Sequence, residues 1–198
     1  MARIEPVEPP YDVATGELLT AMMPPGQPPI RLFRTFARNL PMTEAMRGWG
    51  SYELSRDLSL TLRDREIVID RTCARCGCEY EWGVHVAFFA DKAELDATQL
   101  SSLVHGSAAD PCWTAPRDRL LVEAVDRLHD TGSIDDDLWA RLAAVFTEAE
   151  VLDLTMLCGW YHAISFTARA AGVALEPGAP RFDDVRPPTE PATASRPG

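Results

Sequence analysis

The chain has 198 residues, of which 46% are hydrophobic and 25% are charged, and its formal net charge at pH 7 is −11. This length and composition predict one globular domain with a full hydrophobic core. The scattered basic residues argue against nucleic-acid binding, and the lack of a long apolar run argues against a membrane span. No signal peptide is visible, and an odd number of cysteines (5) favours a reducing cytoplasm over a secreted disulfide framework.

Helical signals follow one another along the chain, with few strand-like alternations, so the sequence predicts an all-α fold. Residues 1–29 are Pro-rich and predict an extended arm with one short helix. Residues 177–198 are rich in Pro, Asp, Thr and Ser, which predicts a flexible tail. Residues 30–176 predict an all-helical domain, with helices near 30–39, from about 43, near 59–74, 78–89, 92–106, 114–132, from about 133, and near 148–171. Ser133 with Asp136 is similar to a capping box, and Gly172 ends the last helix.

One stretch of this domain gathers chemically active side chains on a single predicted helix. Cys78, Glu81 and His85 lie at i, i+3 and i+7, which places them on one face. Glu66 precedes them on the apolar face of another helix and should point inward. Because a buried carboxylate needs a partner or a raised pKa, we expect Glu66 to meet Arg71 or His85.

Cys78 is the candidate nucleophile of this stretch. It follows Gly77 and should lie at a helix N-terminus, where the helix dipole lowers the pKa of a thiol. Cys76 is a candidate resolving thiol, because a Cys76–Cys78 disulfide would be strained and labile. The competing interpretation treats both as small buried side chains.

The same stretch also contains residues of the types that bind metals. Cys73, Cys76, Cys78 and His85 could in principle bind zinc, but their spacing matches no common zinc module. We therefore expect no metal and no other cofactor.

Three further residues are candidates for the pocket wall. Tyr80 and Trp82 share the helix of Glu81 and His85. On the last helix, His162 and its neighbour Tyr161 face different directions, so one of them is expected to line the pocket. Core packing is the stronger interpretation for Tyr161.

The frame from Glu66 to His85 resembles the carboxymuconolactone decarboxylase and alkylhydroperoxidase D superfamily. Its peroxidase branch carries a Glu followed by Cys-x-x-Cys-x-x-x-His, nineteen residues from Glu to His, which is also the spacing from Glu66 to His85. Cys78 matches the first cysteine, whereas Glu81 replaces the second, so the Cys-x-x-Cys pair is broken. Residues 114–143 and 154–177 are similar to the downstream helices of longer members. The resemblance implies the all-helical alkylhydroperoxidase D-like bundle, built as a homo-oligomer.

Three functions follow as hypotheses. In the leading one, Cys78 reduces a hydroperoxide and becomes a sulfenic acid, while His85 and Glu66 relay protons. Glu81 then orients His85 or protonates the leaving oxygen, and Cys76 or an external thiol reductant resolves the sulfenic acid. The alternative is cofactor-free acid–base chemistry on a carboxylated lactone or a related small acid, as in the decarboxylase branch. The third is a non-catalytic oligomeric binding protein.

Overall fold

The computed structural model describes residues 2–186 and is all-helical, without a strand in that range. This confirms the predicted fold class. The α-helices of these residues are α1 (Val13–Ala21), α2 (Arg31–Phe36), α3 (Leu40–Glu53), α4 (Leu62–Arg75), α5 (Glu79–Phe89), α6 (Ala97–His105), α7 (Pro116–Thr131), α8 (Asp136–Ala143) and α9 (Glu148–Ala171). Single 3₁₀ turns follow α2 (Ala37–Asn39) and α9 (Phe182–Val185). None of the described helices is long and apolar enough to cross a membrane.

Helix α4 is the centre of the bundle. It packs against α5, α6, α7 and α9, and three consecutive residues, Ile67, Val68 and Ile69, are completely buried. A helix that is covered on every side must also bury its polar side chains, and each of these then needs a partner. The buried acids and bases of α4 are Asp64, Arg65, Glu66, Asp70 and Arg71, whereas Arg63 and Arg75 at its ends are partly exposed.

The link between α4 and α5 fixes the start of the helix that carries the site. Gly77 adopts a left-handed conformation with φ +63°, and the Cys78 N–H donates to the Cys73 carbonyl at 2.8 Å. This closes α4 in the manner of a glycine C-cap. Helix α5 then begins at Glu79 with Cys78 as its N-cap, so the predicted break at Gly77 is confirmed.

Two predicted boundaries differ from the structure. Asp135, not Ser133, caps α8, because its carboxylate accepts the Leu138 N–H at 3.0 Å. Helix α6 begins at Ala97 instead of near residue 92, since Asp96 and Gln99 form a capping box there. Gly172 ends α9 with φ +67°, as predicted.

The ends of the described chain pack back onto the bundle. In the Pro-rich arm, the Arg3 N–H donates to the Ala171 carbonyl at 2.8 Å. Residues 177–186 belong to the predicted flexible tail but are packed: the Phe182 ring lies 5.3 Å from Trp82, and the Phe182 N–H donates to Glu79 Oε1 at 3.0 Å. An aromatic residue with an apolar site to fill explains this difference. The rest of the predicted tail, residues 187–198, lies outside the described residues.

Candidate functional site

A cavity of about 440 Å³ opens between the segment around α2, helix α3, helix α5 and helix α9. Most of its wall is apolar, formed by side chains such as Phe33, Phe36, Phe88 and Trp160. Three polar groups on α5 and α9 interrupt this wall: the Glu81 carboxyl, the His85 imidazole and the Tyr161 hydroxyl. A mainly apolar cavity with a few convergent polar groups is typical of a small-molecule site.

His85 is held from both sides of its ring. Its Nδ1 lies 2.8 Å from Glu66 Oε2, and its Nε2 lies 3.0 Å from the Tyr161 hydroxyl. An imidazole nitrogen that faces a carboxylate carries the proton, so Nδ1 donates to Glu66. The other nitrogen, Nε2, then carries a lone pair, which accepts the hydrogen bond of the Tyr161 hydroxyl on the side of the cavity.

Glu66 is completely buried behind His85 and does not reach the cavity. Its second oxygen, Oε1, accepts from Arg65 Nε at 2.7 Å, and the Arg65 guanidinium lies 4.9 Å from the centre of the Phe89 ring. The predicted contact between Glu66 and His85 is therefore present. The predicted partner Arg71 is wrong: its guanidinium binds Asp126 on α7 at 2.7 and 2.8 Å. Five residues along a helix turn Arg71 onto another face from Glu66.

Glu81 is the carboxyl group that faces the cavity. Its Oε1 lies 3.7 Å from His85 Nε2, while its Oε2 is buried without a hydrogen-bond partner. Burial raises the pKa of Glu81, and the attraction of His85 opposes this only in part. The carboxyl group is thus held in its protonated form over a wider pH range than an exposed glutamate, as suits a proton donor.

Asp70 lies one turn beyond Glu66 on α4 and was not a sequence candidate. It is almost completely buried, and neither carboxyl oxygen has a hydrogen-bond partner. Burial first, and the charge of Glu66 second, raise the pKa of Asp70 well above its ordinary value. The hydrophobic periodicity of the sequence does not show that Asp70 is buried. Its burial depends on which other helices cover that face of α4.

Cys78 occupies the predicted helix N-terminus but does not line the cavity; its exposed fraction is 1%. Burial raises the pKa of the thiol, although the Glu81 backbone N–H and Arg169 act in the opposite direction. The expectation of a lowered pKa is therefore wrong, because desolvation outweighs the helix terminus.

Cys76 is also a buried free thiol, and burial raises its pKa to about 11. With Cys73 and Cys78 it lies around the Ser165 hydroxyl, which stabilises the thiolate form of each and is 3.9 Å from Cys73 Sγ. The suggested Cys76–Cys78 disulfide is not formed.

The remaining pocket candidates lie elsewhere. The Tyr80 hydroxyl donates to Glu176 Oε1 at 2.6 Å and ties α5 to the chain after α9. Trp82 is completely buried against Phe182. His162 faces α7, whereas its neighbour Tyr161 lines the cavity, because successive helical residues point about 100° apart. The expectation of core packing for Tyr161 therefore missed its contact with His85.

Comparison with known proteins indicates a family and a fold. Residues 41–122 match the model of the Carboxymuconolactone decarboxylase family. A solved structure of an uncharacterized peroxidase-related protein from Ralstonia eutropha JMP134, described as an alkylhydroperoxidase AhpD core, is similar with a TM-score of 0.75. It is 14% identical, and the match covers 88% of this chain and 93% of that one. An uncharacterized peroxidase-related protein from Silicibacter sp. TM1040 is also 14% identical, with a TM-score of 0.73 over 90% of this chain and 96% of that one. A search of curated proteins found no match.

Proposed function

We propose that this chain is a small-molecule enzyme in which Glu81 and His85 transfer protons. The match of residues 41–122 to the Carboxymuconolactone decarboxylase family supports this proposal. One observation carries this proposal. Glu81, His85 and Tyr161 line the cavity side by side, Arg47 and Ser51 line it from α3, and Cys78 is not among the lining residues. A substrate in the cavity meets an acid and a base before it meets a thiol.

The surroundings of Glu81, His85 and Tyr161 give each of them a different role in the reaction. Glu81 is the proton donor, because burial raises its pKa and so favours the protonated form. His85 is the base through Nε2, and Glu66 positions it by accepting from Nδ1. Burial raises the pKa of Tyr161 well above its usual value, so its hydroxyl stays protonated. This hydroxyl donates to His85 Nε2 in the empty cavity, and it can turn to an oxygen of the substrate once Nε2 has taken up a proton.

A carboxylated lactone is the substrate class that we favour. The bond to its carboxylate breaks, CO₂ leaves, and the electron pair of that bond moves into the conjugated lactone. Glu81 donates a proton to the carbon, so hydrogen replaces the carboxylate, and His85 returns a proton from solvent to Glu81. The apolar wall supports this step, because removing water from a carboxylate favours its loss as an uncharged molecule. Arg47, whose partly exposed side chain also lines the cavity, can attract the acid.

Thiol-dependent reduction of a hydroperoxide is the second candidate. It is favoured by the gathering of Cys73, Cys76 and Cys78 around Ser165, which places two further thiols near the candidate nucleophile. It requires a peroxide to reach the buried Cys78 and the thiol to ionise despite its raised pKa. These two requirements place it second.

The two candidates are separated by Glu81→Gln and Cys78→Ser, each assayed for CO₂ release from a carboxylated lactone and for loss of a hydroperoxide with a dithiol. Acid–base chemistry predicts that Glu81→Gln lowers kcat by about a hundredfold or more, the usual scale for a general acid. Cys78→Ser should then change kcat by less than about threefold. Glu79→Gln is the matched control, because this glutamate lies on the same helix but not in the cavity wall.

The opposite order of effects would refute acid–base chemistry. If Cys78→Ser abolished peroxide turnover while Glu81→Gln was nearly silent, the thiol function would stand. If the wild-type protein turned over neither substrate but bound the lactone tightly, the binding-protein hypothesis would be favoured instead.

A further inference from the structure

A second cluster of reactive side chains lies outside the cavity. Cys76 at the end of α4, His129 on α7 and His162 on α9 each present one ligand atom, and these atoms all lie within 4.8 Å of one another. None of the three lines the cavity. Cys76 is buried and both histidines are half-buried, so the cluster lies below the surface but within reach of it.

The two histidines are oriented toward each other. His129 Nδ1 lies 2.9 Å from His162 Nε2, and His162 Nδ1 lies 2.8 Å from the Cys158 carbonyl. A carbonyl oxygen can only accept, so His162 Nδ1 carries a proton and Nε2 presents its lone pair to the cluster. This backbone contact is the usual arrangement behind a metal-binding histidine, because it fixes both the tautomer and the ring orientation.

We propose that Cys76, His129 and His162 form a binding site for a divalent metal ion of the zinc type, with a fourth position open. One thiolate and two imidazoles are ligands that zinc and cobalt accept readily, whereas magnesium and calcium prefer oxygen. Tetrahedral zinc places two bound nitrogens about 3.3 Å apart, so the histidine rings need to separate by only a few tenths of an ångström. In the empty site His129 Nδ1 donates to His162 Nε2, so metal binding also shifts the His129 proton to its other ring nitrogen.

The protonation of the cluster agrees with this assignment. Burial and the neighbouring His162 lower the pKa of His129, which keeps its imidazole neutral and able to bind a metal. The raised pKa of Cys76 keeps the thiol protonated in the empty site, and metal binding displaces that proton. Charged neighbours of both signs surround the cluster: Arg75, Arg169, Asp126 and Asp130.

This ligand set differs from the zinc set that the sequence suggested, and shares only Cys76 with it. His129 and His162 lie 53 and 86 residues after Cys76, so no local sequence motif contains the three ligands. A metal here joins α4, α7 and α9. It also occupies Cys76, which then cannot serve as a resolving thiol for Cys78.

The test uses the full-length protein, stripped of metal with a chelator and kept reduced, and titrated with Zn²⁺ or Co²⁺ alone. We expect one equivalent of either ion to bind, a rise in Tm, and a thiolate-to-cobalt charge-transfer absorption. Cys76→Ser should remove this absorption. Both Cys76→Ser and His162→Gln should weaken Zn²⁺ binding at least about a hundredfold, since even losing a supporting contact costs ten- to a hundredfold.

Three control variants identify the ligands. Cys112→Ser and His105→Gln change a cysteine and a histidine outside the cluster and should leave the affinity unchanged. Cys158→Ser is more demanding, because Cys158 Sγ lies 3.7 Å from His162 Nδ1. It too should leave the affinity unchanged, since that nitrogen faces the Cys158 carbonyl.

Three results would overturn the proposal: no stoichiometric binding by the wild type, unchanged binding in Cys76→Ser, or a loss confined to Cys158→Ser. Circular dichroism of each metal-free variant checks its fold. His162 is half-buried, so His162→Gln remains a usable variant if Cys76→Ser is poorly folded.

Discussion

Replacing Glu66 by Gln tests the buried network behind His85. Glu66 and Arg65 form an ion pair with side chains that are only 1% and 8% exposed. Removing one charge of a buried pair leaves the other uncompensated and destabilises a protein by about 3–5 kcal/mol. Because glutamine can still accept one hydrogen bond, we expect the lower end, about 3 kcal/mol. At about 2–4 °C per kcal/mol for a chain of this size, Tm should fall by about 6–12 °C.

The assay is urea unfolding followed by far-UV circular dichroism, with Tm measured in parallel. The double variant Arg65→Met with Glu66→Gln removes both charges and should be at least about 2 kcal/mol more stable than the sum of the two single losses predicts. Glu123→Gln is the matched control. Glu123 pairs with Arg141 where the side chains are 33% and 43% exposed, so its loss should stay below about 1 kcal/mol.

A loss below about 1 kcal/mol for Glu66→Gln, or strictly additive single effects, would refute the idea that Arg65, Glu66 and His85 act as one buried network.

Two further predictions concern stability against pH and assembly. Because the pKa of Asp70 is raised in the folded protein, its contribution is fully present below the unfolded value of 3.8 and is lost as the pH rises toward the folded value. Asp70→Asn should remove this fall, up to about 1.4 kcal/mol per pH unit, in urea unfolding between pH 4 and pH 8, and equal slopes for both proteins would contradict it. We also propose that the exposed stripe of α9 that includes Leu152 (66% exposed) and Met156 (49%) joins two copies of the chain. Met156→Glu should then yield a monomer in sedimentation while Val13→Glu does not, whereas a wild type of only 21.9 kDa would end the proposal.

The features that the sequence predicted well are local or periodic. Gly77 and Gly172 are helix ends because both adopt left-handed backbone conformations that other residues rarely tolerate. The contact between Glu66 and His85 is one of the two that the sequence offered, because a carboxylate on an inward helix face needs a partner. The resemblance of this nineteen-residue frame to a known superfamily was confirmed by the family match.

The incorrect predictions concern the tertiary contacts of individual side chains. Arg71 was a candidate partner for Glu66 because of its positive charge. In the structure Arg65 donates to Glu66, whereas Arg71 binds Asp126 on α7. The thiol of Cys78 was expected to be acidic from its helix terminus, but the helices packed around it exclude water and raise its pKa. The spacing of residues along the chain predicts neither the contact of Arg71 with α7 nor the exclusion of water from Cys78.

The sequence by itself determined the helices and the inward face of Glu66, because these depend on backbone preferences and on a repeat of 3.6 residues. It left Arg71 and His85 as alternative partners of Glu66. Only the tertiary structure decided that Tyr161 reaches the cavity, that Cys78 does not, and that Cys76, His129 and His162 meet. These arrangements depend on how α4, α7 and α9 cross one another. The crossing is set by side-chain packing between residues far apart in the chain, and desolvation at those contacts then fixes which groups ionise.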